Sequence, residues 1–303
     1  MDNIQRLKML TRPAGNIDAV LDTDTYNEID DQFALAYLLS YSEKINTKAI
    51  YAAPFFNGHS ASPADGMEKS YAEILNLLTL LGQTERISSV FKGSCSYLEN
   101  ESTPVDSAAA RHLAELAMEY SSERPLYVIA IGAITNIASA LLLRPEIKDR
   151  IVIVWLGGHS RHWPNTKEFN MAQDVAAARV VFGSGVPMVQ IPCNGVASSF
   201  TVSEAELRAW LMHKNKLCDY LVQHTVEEVT YAAGKPWTRV IWDVVAVAWV
   251  VGEFTMDEII PAPIPEYDHH YGSGCDRHLI KSVYHVHRDK IFEDMVARLS
   301  SFN

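Results

Sequence analysis

Residues 16–42 read NIDAVLDTDTYNEIDDQFALAYLLSYS. The stretch opens as an apolar strand-like run, crosses an acidic middle and continues as a helix that is apolar on nearly every side. A helix with no polar face has to be buried. A nearly continuous apolar strand beside it belongs to a sheet covered on both faces. The join between the two holds Asp22, Asp24, Glu28, Asp30 and Asp31 and no basic residue.

The same alternation recurs outward along the chain. Strands are expected at 47–54, 125–131, 150–156 and 186–192, and helices at 67–82, 107–122, 135–144 and 173–185. Alternation of this kind predicts an α/β fold, a mostly parallel twisted sheet with helices on both faces. The C-terminal region reads as more helical. Helices are expected over 203–233 and 239–252, then an irregular stretch rich in Pro, His and Gly with a strand at 279–286, then a closing helix at 289–299. No repeat, linker or low-complexity segment interrupts the pattern, so residues 1–303 are expected to form one domain.

Composition removes several function classes. The charge sum of 26 basic against 37 acidic residues gives −11, which disfavours a nucleic-acid partner because phosphate neutralisation needs excess Lys and Arg. Cys95, Cys193, Cys218 and Cys275 are widely spaced and form no C-x-x-C pair. That pattern predicts neither a zinc knuckle nor a disulfide framework and suits a reducing compartment. The longest apolar runs, 151–158 and 244–252, are too short to cross a bilayer. The first residues show no signal-peptide core. The expectation is a cytoplasmic protein with no membrane partner.

The acidic join is the chemical feature. In a parallel sheet, ligands bind beyond the carboxyl ends of the strands, where this segment would sit. Asp22 and Asp24, two apart, would point the same way if the strand persisted. A helix dipole cannot neutralise so many carboxylates, and crowded acids either take up protons or bind a cation. Carboxylate oxygens are hard ligands that suit Ca²⁺ or Mg²⁺ better than zinc.

With these residues in view, the sequence resembles the nucleoside hydrolases, the inosine–uridine-preferring N-ribohydrolase family. That family opens with an apolar strand, Asp-x-Asp, a short loop and Asp-Asp at a helix start. Four further segments match in order: VIAIGAITNIASAL (128–141), VIVWLGG (152–158), EFNMAQDVAAARVVFGSGVPM (168–188) and WDVVAVAWV (242–250). The resemblance implies a Rossmann-like single domain, Ca²⁺ as cofactor, and release of a base from a nucleoside or other ribosyl substrate. It also implies a homodimer or homotetramer. By the same carry-over, Asp24 is the general base and a calcium ligand. Asp31, Asp243 and the backbone carbonyl of Ile131 complete the metal set. Asp30, Asn57, Asn165, Glu168 and Asn170 are implied to hold the sugar, the last three chiefly on its 5′ side.

The chemistry accounts for these residue types. Breaking an N-glycosidic bond builds positive charge on the ribose. A divalent cation orients water and sugar hydroxyls, and a neighbouring carboxylate accepts the water proton.

The chain departs from the family pattern at two places. Between Asp24 and Asp30 stand five residues, TYNEI (25–29), where the family has three. Asn27 and Glu28 then either enter the sugar pocket or cap the following helix. Where many members have histidine before the last metal aspartate, this chain has Trp242, as in the purine-preferring branch. Trp242 either stacks on a purine or packs in the core. Tyr97, Trp163, Tyr231 and Trp237 are the candidates for a second stacking ring.

Two other readings stay open on sequence. A ribose- or nucleoside-binding protein that kept the metal site would explain the altered loop. VLDTDT also superficially resembles a haloacid-dehalogenase-type phosphatase motif, with Mg²⁺ and an aspartate nucleophile.

Overall fold

The computed structural model describes residues 1–229, 232 and 234–302. In chain order the elements begin α1 (Asn3–Met9), β1 (Ile17–Thr23), α2 (Asp30–Leu39), β2 (Ile45–Ala52), α3 (Pro63–Leu80) and β3 (Val90–Lys92). They continue α4 (Ala108–Leu116), β4 (Leu126–Ala130), α5 (Thr135–Leu143), β5 (Ile151–Leu156), α6 (Phe169–Gln173), α7 (Val175–Ser184) and β6 (Met188–Ile191). The last part holds β7 (Thr201–Ser203), α8 (Glu204–Trp210), α9 (Lys216–Glu228), β8 (Thr238–Val240) and α10 (Val244–Val251). β9 (Thr255–Pro261), β10 (Ile264–Pro265), β11 (Tyr271–Gly272), β12 (Leu279–Val286) and α11 (Arg288–Ser300) complete it.

Local chemistry sets the helix limits. Ser62 accepts from the Asp65 amide and Pro63 occupies the first turn of α3, where its missing N–H is harmless. Gly82, at φ 66°, takes the left-handed turn just past that helix. α2 has all ten residues buried, as a helix without a polar face requires.

Eight strands form one sheet in the order β3-β2-β1-β4-β5-β6-β12-β9. All neighbours pair in parallel except β9, which runs antiparallel to β12 at one edge. One apolar layer packs residues of α2, α3, α10 and α11 on the sheet, and a second packs those of α4, α5 and α7 on its other face. The chain leaves β1 toward β2 and β3 on one side and places β4, β5 and β6 on the other. The crossovers diverge between β1 and β4, and a crevice opens there at the carboxyl ends.

The structure corrects three sequence expectations. Among its described residues, the run 203–233 holds two helices, α8 and α9, because His213 takes a positive φ of 64° and the Asn215 side chain caps α9 by accepting from the Cys218 amide; residues 230, 231 and 233 lie outside the described residues. Residues 239–252 begin as β8, and α10 starts only after Asp243. Residues 255–261, partly counted as irregular, form the edge strand β9.

Candidate active site

β1 ends at Thr23, so alternation along the strand no longer governs Asp24. Asp22 is fully buried and accepts from Asn136 Nδ2 at 2.8 Å. Thr23 donates through its hydroxyl to Asp31 Oδ1. Asp24 is 1% exposed, and neither of its carboxylate oxygens has a hydrogen-bond partner. It lies against Gly132, where an added Cβ would stand 2.8 Å from Asp24 Oδ1. Only glycine leaves that space.

α2 and α10 both begin at this crevice. They deliver Asp30, Asp31 and Asp243, whose carboxylate atoms lie within 4.8 Å of one another with all three residues buried. Asp30 Oδ1 is also buried without a partner. Burial pushes the Asp22 and Asp31 carboxyls up to about 7. Burial first, and then mutual repulsion, raises Asp24, Asp30 and Asp243 well above the usual carboxylate range. Among the described residues, no Lys or Arg hydrogen-bonds to Asp24, Asp30, Asp31 or Asp243. Arg239, which faces Asp30, is committed to Glu28 at 3.1 Å and Glu228 at 2.7 Å. Hard oxygen donors crowded out of water, some without any partner, fit a divalent cation of the calcium or magnesium type.

A cavity of about 250 Å³ opens above this cluster, at the small end for a small-molecule site. Asp30, Asp31, Asp243, Ile131, Glu168, Asn170 and Trp242 all line it. Asp24 lies behind them and does not reach the wall. The Ile131 carbonyl accepts from Asn170 Nδ2 at 3.1 Å, and the same nitrogen donates to Leu156 O at 3.0 Å. Both amide hydrogens of Asn170 are thus used, so its Oδ1 is what it can present to a ligand. Glu168 caps α6 by accepting from the amides of Asn170 and Met171, and it also accepts from Gly158. Gly158 sits at φ 73°, and a Cβ there would clash with the Tyr271 hydroxyl at 2.2 Å, so the turn after β5 reflects close backbone approach.

Two implied sugar contacts are placed differently. Asn165 does not line the cavity; its Oδ1 accepts from the Lys167 amide at 3.0 Å, and Lys167 lines the wall instead. Asn57 also stands behind the wall, where it donates to Asn27 Oδ1 at 2.6 Å. Asn27 and Glu28 line the cavity and do not cap α2, whose N-cap, Ile29, makes no side-chain bond.

Trp242 is partly buried, with one side on the core and the other on the cavity. Of the candidate second rings, Tyr97, Trp163 and Trp237 are absent from the wall, and Tyr231 lies outside the described residues. Phe169 and the His159 imidazole are present instead. Phe169 is the middle of the EFN triplet, and its signal was an aromatic ring set between two polar site residues. Asp22, the nucleophile a phosphatase would need, has one carboxylate oxygen held by Asn136 Nδ2 at 2.8 Å.

The family model described as inosine-uridine preferring nucleoside hydrolase matches residues 19–286. The pyrimidine-specific ribonucleoside hydrolase RihA of Escherichia coli O6:K15:H31 is 29% identical over 185 residues, covering 53% of this chain and 55% of that protein. The chain spans about half the length of the curated relatives it matches. Among solved structures, the plant nucleoside hydrolase PpNRh1 superposes with a TM-score of 0.76 at 18% identity, over 94% of this chain and 99% of that one. The purine-preferring ribonucleoside hydrolase from Gardnerella vaginalis gives a TM-score of 0.75 at 22% identity, over 94% and 98%. These likenesses match the sheet and its flanking helices as a fold. Among the described residues, no helix is long and apolar enough to cross a membrane.

Proposed function

The chain belongs to the inosine–uridine preferring nucleoside hydrolase family, and from that premise we propose that it is a calcium-dependent hydrolase that cleaves ribonucleosides, purines preferred, to free base and ribose. One observation carries the reading. Asp24, with two buried and partnerless oxygens, adjoins a cradle of three carboxylates at the floor of a small cavity. Asp24, Asp31, Asp243 and the Ile131 carbonyl would hold the cation. When bound, calcium supplies the charge that lowers the pKa of a water and gathers vicinal sugar hydroxyls.

The remaining work falls to the chain's own groups. Asp24 accepts a proton from the attacking water. The water oxygen bonds to the anomeric carbon as the carbon–nitrogen bond breaks, and the bonding pair leaves with the base. Asp30 and Asn170 hold sugar hydroxyls, while the surrounding carboxylates favour the positive charge that develops on the ribose. Trp242 and Phe169 give the base apolar rings to lie against, and the larger face of a purine gains more from them. The departing base takes one proton from solvent at the cavity mouth, and Asp24 returns the proton it accepted to solvent. Residues 1–303 act as one domain in this reading, in a cytoplasmic homodimer or homotetramer.

The test is chromatographic base release from inosine, adenosine, guanosine, uridine and cytidine with calcium present. Purines are expected to be fastest. A pyrimidine preference, as in the pyrimidine-specific RihA, would keep the hydrolase and remove the stacking argument. Saturable binding without any base release would instead support the non-catalytic binding protein.

A further inference from the structure

The five-residue loop 25–29 places an amide where the sugar would lie. Asn27 is 8% exposed, and what remains exposed lines the cavity, three residues before Asp30. A chain of unambiguous donors fixes its orientation. The His59 backbone N–H, which only donates, bonds to Asn57 Oδ1 at 2.8 Å. Asn57 must therefore present its Nδ2 to Asn27, whose Oδ1 accepts at 2.6 Å. The Asn27 Nδ2 is then left for the cavity. Two backbone bonds hold the residue in place. Its amide donates to Asp24 O at 2.7 Å, and its carbonyl accepts from His59 Nδ1 at 3.1 Å.

Both Asn27 and Asp30 line the cavity, and each has an atom without a partner. Asn27 Nδ2 makes no hydrogen bond, and Asp30 Oδ1 is buried without one. A sugar hydroxyl in the cavity would satisfy the Asn27 amide by accepting from it. We infer that Asn27 is the amide that reads a ribose hydroxyl in this protein. Asn57 is a positioning residue one step behind it. The longer loop has pushed a second asparagine into the sugar site and turned the first into its support. Asn27 therefore adds to the selection of ribosyl over deoxyribosyl substrates through the hydroxyl it reads. This inference rests on the ribosyl reading of the site above.

The experiment uses the full-length, calcium-loaded protein and its Asn27→Ala and Asn57→Ala variants, with folding checked by circular dichroism. Calorimetry measures binding of ribose, 2-deoxyribose and 3-deoxyribose. Base release is measured with inosine and its 2′-deoxy and 3′-deoxy forms. Asn27→Ala is expected to weaken ribose binding and kcat/KM for inosine by about tenfold to a hundredfold, the usual range for a lost hydrogen bond to a hydroxyl. With one of the two deoxy forms, that loss disappears. Asn57→Ala shifts the same selectivity in the same direction by a smaller factor. An equal loss with all three sugars would mean that Asn27 only packs the loop, and would overturn the inference. If wild type binds ribose but releases no base, the hydrolase reading fails, while the binding arm still decides the role of Asn27. If wild type binds no sugar and releases no base, both fall.

Discussion

Asp24 is costly to the fold for the same reason that it is useful. Two carboxylate oxygens out of water and without partners destabilise a protein unless a cation or a proton compensates them. Asp24→Asn keeps the shape and removes the proposed proton acceptor. Its kcat is expected to fall by about 10²–10⁴-fold, the usual contribution of a general base, as read by steady-state base release. At this scale the acids were legible in the sequence because their type and their place after an apolar strand carry the signal. The sequence left Asn27 between pocket and cap; that it lines the cavity while Asn57 stands behind it was not legible. It depends on how a two-residue-longer loop folds back on residue 57, and no local pattern encodes that path. Phe169 was passed over because its polar neighbours Glu168 and Asn170 drew the reading.

Elements bring these residues together, and their ends matter more than their middles. Asp30, Asp31 and Asp243 all stand at helix starts. The sequence showed where α2 and α10 lie as apolar runs but blurred the polar breaks. The joint between α8 and α9 is a clear case. Asn215 caps α9 and also donates to the carbonyls of Leu299 and Phe302, tying the end of the chain to that helix. Asn215→Ala is expected to cost about 1–2 kcal/mol, seen as a lower Tm with kcat unchanged. The edge strand β9 was hidden because its two buried residues, Thr255 and Ile260, stand five apart, which leaves no period-2 signal.

β12 follows a residue with a titration consequence of its own. His278 has a buried, partnerless Nε2, and burial, with Arg6 and Arg277 nearby, pushes its pKa down to about 4. The unfolded value is about 6.5, so the folded state binds fewer protons between these limits. The contribution is present above about pH 6.5 and is lost as pH falls toward 4. Partial exposure of the ring reduces the effect to about 1 kcal/mol. Thermal melts from pH 7.5 to 5 should therefore fall less steeply for His278→Gln than for wild type.

At the scale of the whole molecule, the sheet order creates the site. β1 lies at the point where the strand order reverses, and the acidic join opens into that crevice. Alternating apolar runs made the parallel α/β class legible, because strands buried on both faces have a distinctive composition. Strand order and the edge position of β9 were not legible, since they follow from pairings between residues far apart in the chain. A site assembled from β1, α2, the residues after β4, α6 and α10 belongs only to the folded protein, so its cation should stabilise the whole. Chelation is expected to lower the Tm. Calcium at a hundredfold its Kd should restore about 2.7 kcal/mol, provided the unfolded chain does not bind it. Magnesium at the same concentration gives the comparison.

We propose that these buried carboxylates hold calcium for glycosidic cleavage. The measurement to make is of base and ribose formed from inosine by the purified protein, first chelated and then resupplied with calcium. No release is expected after chelation, with recovery on calcium addition and base and ribose formed in equal amounts. Release that persists at the full rate in chelator, or no release from any of the five nucleosides with calcium bound, would contradict it.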